Sequence, residues 1–191
     1  MNKNYLFISI PKTGTNSVHE VLENTKYNHI TSNTIRNKIG KNNYNSKFTF
    51  CFIRNPVELV KSWYYYHKFS PNVIRQDVKD FYPETIEEWV FNMKCKTHWQ
   101  QELHKKYNPL WNINQNPLFQ KLWITDENNY IIVKNVFCFD NLSFIIKKLF
   151  NKEIKQQNKS NKNNYELKAE TKGKIEELFH DDVILYNSLK D

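Results

Sequence analysis

The sequence predicts an α/β domain with a mainly parallel sheet. Three observations carry that expectation. Tyr5–Ile10, Lys47–Ile53 and Tyr130–Phe139 are apolar, β-prone runs that read as strands. Each is followed by a segment of helical spacing, and strands alternating with helices favour a parallel sheet. At 191 residues the chain has the size of one domain, 1–191, with room for a sizeable core.

In chain order, Tyr5–Ile10 breaks at Pro11. A short polar loop, Lys12-Thr13-Gly14-Thr15-Asn16-Ser17, leads into a first helix, Val18–Glu23. Thr31 or Ser32 caps a second helix, Asn33–Ile39, that stops at Gly40. Asn42–Ser46 reads as a loop before the second strand. Arg54-Asn55-Pro56 ends that strand, and Pro56 suits the first turn of a helix with Leu59, Val60 and Trp63 on one face. Phe69–Pro83 is irregular and polar, a candidate lid. Glu84–Met93 reads as a helix, and Lys94–Trp111 has no clear pattern. Asp126–Asn129 is a turn before the third strand, and Asn141–Phe150 is an amphipathic helix. Asn151–Asn164 is a Lys- and Asn-rich surface loop. Ala169–Leu189 reads as one closing helix that buries Ile175, Leu178, Phe179, Ile184 and Leu185.

Aromatic residues make up 15% of the chain, so the core is expected to be bulky. The net charge of +8 favours anionic partners, although Lys, Asn and Ile share AT-rich codons and genome composition can account for part of it. The basic residues form no compact cluster and no nucleic-acid motif is visible, so no specific nucleic-acid partner is expected. Cys51 and Cys138 lie in apolar runs and read as small buried hydrophobes. With Cys95 the cysteine count is odd, which suits a reducing compartment. The longest apolar runs fall far short of the ~18 residues of a membrane span and no leader pattern is present. The expectation is a complete, soluble, cytoplasmic protein with no membrane partner.

The stretch Tyr5–Glu20 reads as strand, polar loop and helix N-terminus. Loop N–H groups and the helix dipole then aim positive charge at one spot, Lys12 adds a full charge, and Thr13, Thr15, Asn16 and Ser17 add short polar side chains. This is an anion cradle for a phosphate or sulfate ester. It is not the Walker A pattern, in which the lysine follows the second glycine, because Lys12 precedes Gly14. Ligands of such sheets sit beyond the carboxyl ends of the strands, where both Pro11–Ser17 and Arg54–Pro56 lie. If the first two strands are neighbours, the two loops face one pocket.

The order Pro11-Lys12-Thr13-Gly14-Thr15-Asn16-Ser17 resembles the 5′-phosphosulfate loop of sulfotransferases that use 3′-phosphoadenosine 5′-phosphosulfate (PAPS). Phe48–Tyr66 resembles the 3′-phosphate segment of that family, a strand followed by Arg-Asn-Pro and then by a serine, here Arg54 and Ser62. Further stretches are similar to the carbohydrate type. They are His29 and the IRNKIG that follows Thr34 closely, PLFQKLWI with Gln120 and Trp123, the Asp140-Asn141-Leu142 corner, and Asn158-Lys159-Ser160. The chain departs from the family at Leu59, where many relatives carry Arg, and at Lys134, Cys138 and Asp140.

The resemblance implies a P-loop-like three-layer fold and a sulfuryl transfer from PAPS to an acceptor hydroxyl, an anionic glycan included, with no metal. Thr13, Gly14, Thr15, Asn16 and Ser17 hold the 5′-phosphate, Arg54 and Ser62 the 3′-phosphate, with Ser160 a further donor contact. Lys12 contacts the donor and stabilises the leaving oxygen, and His29 is the first candidate for general base. Glu20 and Glu23 are the alternative bases, and His67, His98, His104 and His180 are weaker ones. Trp63, Tyr64, Tyr65 and Tyr66 read as core and pocket wall, and Gln120 and Trp123 as structural. Two other classes stay open at this point: a P-loop kinase or nucleotidase, and a non-catalytic polyanion-binding protein on the same fold. The motifs specify neither the acceptor nor the oligomeric state.

Overall fold

The computed structural model describes residues 4–23, 27–71, 73, 79–80, 82–93, 118–154 and 166–190. Among them lies a three-stranded sheet in the order β1 (Tyr5–Phe7), β2 (Phe48–Ile53), β3 (Asn135–Cys138). Both pairings are parallel, with Leu6 opposite Thr49 and Phe52 opposite Phe137. The fold is therefore mixed α/β, with a small parallel sheet flanked by helices. The helices with assigned bounds among the described residues are α1 (Thr15–Leu22), α2 (Ser32–Ile39), α3 (Lys41–Ser46), α4 (Pro56–Phe69), α5 (Ile86–Phe91), α6 (Lys121–Ile124), α7 (Leu142–Phe150), α8 (Ala169–Leu178) and α9 (His180–Asn187).

Strand alternation sorts the core. One sheet face presents Leu6, Cys51, Ile53 and Cys138, packed with Ile35 of α2, Tyr44 of α3, Trp123 and Ile124 of α6 and Tyr186 of α9. The other presents Phe7, Phe50 and Phe52, packed with Val18 and Leu22 of α1 and Ile146 of α7. The Phe7–Phe50 and Phe52–Phe137 rings stack at tilted angles, 5.1 and 5.9 Å between centroids. A further cluster beside the sheet joins Trp63 and Tyr64 of α4, Trp89 of α5, and Ile175 and Phe179 at the C-terminus. The expected aromatic bulk thus serves the core. Cys51 and Cys138 are buried free thiols, as their apolar neighbours imply.

Several boundaries differ from the sequence reading. β1 and β3 are shorter than the β-prone runs, because Ser9 onward turns toward α1 and Ile131 instead pairs with Thr125 across the Asp126–Asn129 turn. Asn42–Ser46 is helical rather than a loop: Gly40 caps both α2 and α3, and Tyr44 anchors α3 in the core. The C-terminal segment is two helices, not one. Phe179, at φ −109° and ψ 32°, separates α8 from α9, which rotates the buried stripe and leaves Ile184 56% exposed. The helix starts follow their cap chemistry. The Thr31 hydroxyl accepts from Thr34 N–H, and the Asn55 side chain accepts from the N–H groups of Val57 and Glu58 with Pro56 in the first turn. No helix among the described residues is long and apolar enough to cross a membrane.

Candidate anion and nucleotide site

Because β1 and β2 are parallel neighbours, the loops that follow them emerge at the same edge of the sheet. They touch there: Arg54 Nη1 donates to the Lys12 carbonyl at 3.0 Å. In Arg-Asn-Pro, Asn55 and Pro56 are consumed in starting α4, which leaves the Arg54 side chain to reach across. Its guanidinium lies 5.0 Å from the centre of the Phe139 ring, which follows β3. Lys12 Nζ lies 3.7 Å from the centre of the Tyr66 ring. Ser62 precedes Tyr66 by one turn on α4, so the two share a face of that helix.

The electrostatics favour an anion here. Lys12 and Arg54 are both half-buried, and no carboxylate among the described residues lies within 4.0 Å of either charge. Burial, then the neighbouring Arg54 charge, brings Lys12 down to about 8. Burial also lowers Arg54, against Glu58 and Asp140. Two adjacent, partly desolvated cations are relieved by an anion between them.

The first loop is built around Ile10 and Gly14. The Thr13 and Thr15 hydroxyls both donate to the Ile10 carbonyl at 2.8 Å. The sequence reading had their side chains face the anion, whereas here they brace the turn and leave their N–H groups to offer. Asn16 is exposed and Ser17 buried. The first helical bond is Val18 N–H to the Gly14 carbonyl. Among the described residues, the N–H groups of Gly14 to Asn16 make no backbone hydrogen bond, which is the supply an anion at a helix N-terminus uses. Gly14 has φ +76°, and a Cβ there would stand 2.8 Å from Leu142 Cδ2 and 3.0 Å from Phe139 Cε2. Gly14→Ala is therefore expected to destabilise the fold by about 2–4 kcal/mol through strain and overpacking. Thermal denaturation checks this, and a melting curve like that of wild type contradicts it.

Lys12 (φ 66°) and His29 (φ 54°) both occupy left-handed backbone. Glu23 and Asn151 do so as helix caps, and Lys12, His29 and Asn129 do so in turns. His29 Nδ1 lies 3.0 Å from the Ser9 carbonyl. A carbonyl only accepts, so Nδ1 carries the proton and Nε2 keeps a lone pair. Burial lowers the basicity of His29, and the charges of His19 and Lys12 push the same way against the Ser9 bond. Burial and the neighbouring charges thus favour the neutral imidazole.

Glu23 caps the far end of α1, roughly 13 Å along the helix from Gly14, and faces Lys152 at 3.8 Å. Glu20 is exposed on the same helix. His67 Nδ1 bonds the Trp63 carbonyl at 2.9 Å and the ring stacks on Tyr82, while His180 is exposed. Ser160, Lys159, Asn158, His98 and His104 lie outside the described residues.

Two residues, His19 and Asp182, escaped the sequence reading, and a third, Gln120, was read only as structural. His19 Nε2 lies 2.7 Å from the Ser9 hydroxyl, buried under the loop. Its signal was a polar residue on the stripe Thr15, Val18, His19, Leu22, which is the inward face of α1. Gln120 does act structurally, but on the site: Oε1 accepts from Arg54 N–H and Nε2 donates to the Arg54 carbonyl, both at 2.8 Å. Asp182 of α9 accepts in turn from the N–H groups of Gln120 and Lys121, at 2.7 and 2.9 Å.

No family, no curated protein and no solved structure matches the chain. Function therefore rests on the geometry above together with the motif resemblance.

Proposed function

We propose that the chain is a sulfotransferase that moves a sulfuryl group from PAPS to an acceptor hydroxyl, on a P-loop-like three-layer fold. The observation that carries the reading is the Arg54–Lys12 contact. It brings together, at one sheet edge, two loops that separately resemble the binding segments for the two phosphate groups of one nucleotide. The loop N–H groups from Thr13 to Ser17 hold the 5′-phosphate. Arg54 and Ser62 take the 3′-phosphate, the guanidinium as a planar fork.

The step is an in-line displacement, by analogy with phosphoryl transfer. The acceptor oxygen forms a bond to sulfur as the bond from sulfur to the bridging oxygen breaks. The electron pair of the broken bond stays on the 5′-phosphate oxygen, where the Lys12 ammonium stabilises it. The acceptor proton passes to His29 Nε2, which the Ser9 carbonyl orients from the opposite side of the ring. A hydroxyl on a carbohydrate, including an anionic glycan suited to the net charge of +8, is the proposed acceptor.

The test is transfer of labelled sulfate from PAPS across a panel of glycans and small hydroxyl compounds. Transfer to none of them, together with no binding of 3′-phosphoadenosine 5′-phosphate, refutes the proposal. Mg²⁺-dependent turnover of ATP points to a kinase instead.

The pH profile supplies an independent check. Lys12 acts as a cation and has its midpoint at about 8, so kcat/KM is expected to fall as pH rises through that value. His29 acts as a neutral base whose midpoint lies below the ordinary histidine value, so kcat/KM falls again only in mildly acidic buffer. Lys12→Arg is expected to remove the alkaline limb and His29→Asn the acidic one. A profile flat across both ranges contradicts these roles.

A further inference from the structure

We infer that Gln120 and Asp182 are positioning residues for the Arg54 guanidinium, linked to it by a hydrogen-bonded relay that starts on the C-terminal helix. The inference rests on the reading of Arg54 as a ligand of the nucleotide 3′-phosphate.

β2 ends at Ile53, so Arg54 lies just beyond the strand pairing of the sheet. The Gln120 side chain takes the place of a neighbouring strand. A primary amide holds a donor and an acceptor in one plane, and Gln120 sets them against the Arg54 C=O and N–H at 2.8 Å each. Asp182 fixes Gln120 in turn. One carboxylate oxygen accepts from Gln120 N–H at 2.7 Å and the other from Lys121 N–H at 2.9 Å, which satisfies the opening donors of α6. Both side chains are completely buried, and the Arg54 side chain ends the series on the Lys12 carbonyl at 3.0 Å. Four segments far apart in sequence are thus joined through one amide, one carboxylate and one guanidinium.

This polar arrangement is a costly way to fill a core. Burial pushes the Asp182 carboxyl up to about 7 despite its two N–H donors, and a hydrophobic pair of similar volume is often as stable or more so. What the apolar pair lacks is direction. The relay holds the Arg54 backbone at two points, so the guanidinium approaches an anion from one angle.

The test measures affinity for 3′-phosphoadenosine 5′-phosphate by calorimetry in the full chain. Gln120→Ala is expected to weaken binding about tenfold. The same change in an Arg54→Ala background is expected to cost almost nothing, because the relay acts through Arg54. Equal costs in the two backgrounds overturn the inference.

Gln120→Glu keeps the shape and adds a signature that a filler role would not produce. An ionised carboxylate repels the Arg54 carbonyl, whereas the protonated acid donates to it as the amide does. The deficit of this variant relative to wild type is therefore expected to shrink as the buffer is made acidic. Among the described residues, the ionisable groups facing position 120 are Asp182 of α9 and Arg54, with Lys121 and Asp181 alongside. Wild type measured over the same pH series accounts for their titration. A deficit constant across pH overturns the inference.

Arginine side-chain NMR of the free protein separates this inference from the nucleotide reading. Faster solvent exchange of the Arg54 guanidinium in both Gln120→Ala and Asp182→Asn supports the relay even if wild type binds no nucleotide, in which case only the 3′-phosphate reading falls. Unchanged exchange in both variants overturns the relay.

Discussion

Replacing Lys12 with alanine is expected to lower kcat about 10²–10³-fold while changing the affinity for 3′-phosphoadenosine 5′-phosphate little. The magnitude is that of removing one preorganised group from the atom where charge develops in the transition state. The asymmetry follows from the geometry. In the free protein the Lys12 ammonium is half-buried, stacked on Tyr66 and pushed down to about 8 beside Arg54, so its charge is poorly solvated. It gains most when the bridging oxygen becomes fully anionic and least when the donor is merely bound. Single-turnover kinetics with saturating donor read the chemical step directly. Wild-type turnover in Lys12→Ala would remove the lysine from the mechanism. Tyr66→Leu, which takes away the ring beneath Nζ, is expected to have a smaller effect of the same sign.

Arg54→Ala is expected to weaken binding of 3′-phosphoadenosine 5′-phosphate about 10- to 150-fold, the range for losing charge-assisted hydrogen bonds of roughly 1.5–3 kcal/mol. The loss should be confined to nucleotides that carry the 3′-phosphate, so 5′-AMP is expected to bind wild type and variant alike. Arg54→Lys is not expected to restore the affinity. An ammonium has no planar fork and does not reproduce the contact with the Lys12 carbonyl together with a bidentate phosphate contact. Loss of the Arg54 charge also removes one of the two causes that depress Lys12, so the alkaline limb of kcat/KM in this variant is expected to move upward. Isothermal calorimetry with the two nucleotides is the deciding measurement. Equal losses for both would place Arg54 away from the 3′-phosphate.

The elements that could be read from the sequence were those whose signals are local. Thr31 and Asn55-Pro56 mark helix starts because caps and fixed proline dihedrals act over a few residues. Gly40 marks the end of α2 for the same reason. The errors arose where packing overrides local pattern. The polar run before β2 is helical because Tyr44 is held in the core. The closing helix breaks at Phe179, which is buried against α4 and α5, and this turns Ile184 outward.

The candidate site divides in the same way. The strand–loop–helix at Lys12 and the cap at Arg54 are each contiguous, so their residue order could indicate an anion cradle and a second phosphate contact. His29 could be nominated by its place between them, but its tautomer depends on the Ser9 carbonyl, twenty residues away. The threonine hydroxyls illustrate the opposite case, since their composition suggested anion contacts while the backbone turn claims both for the Ile10 carbonyl.

By itself, then, the sequence determined where the three strands and most of the helices lie along the chain, and the two loops that carry the cationic side chains. These depend on local backbone preference and on apolar spacing, both written in neighbouring residues. Only the tertiary structure decided that β1 and β2 are adjacent, that Arg54 closes on Lys12, and that Gln120 and Asp182 hold Arg54 from the far end of the chain. Those contacts join residues more than forty positions apart. Their partners are chosen by how the two faces of the sheet are covered, a choice that no short window of sequence contains.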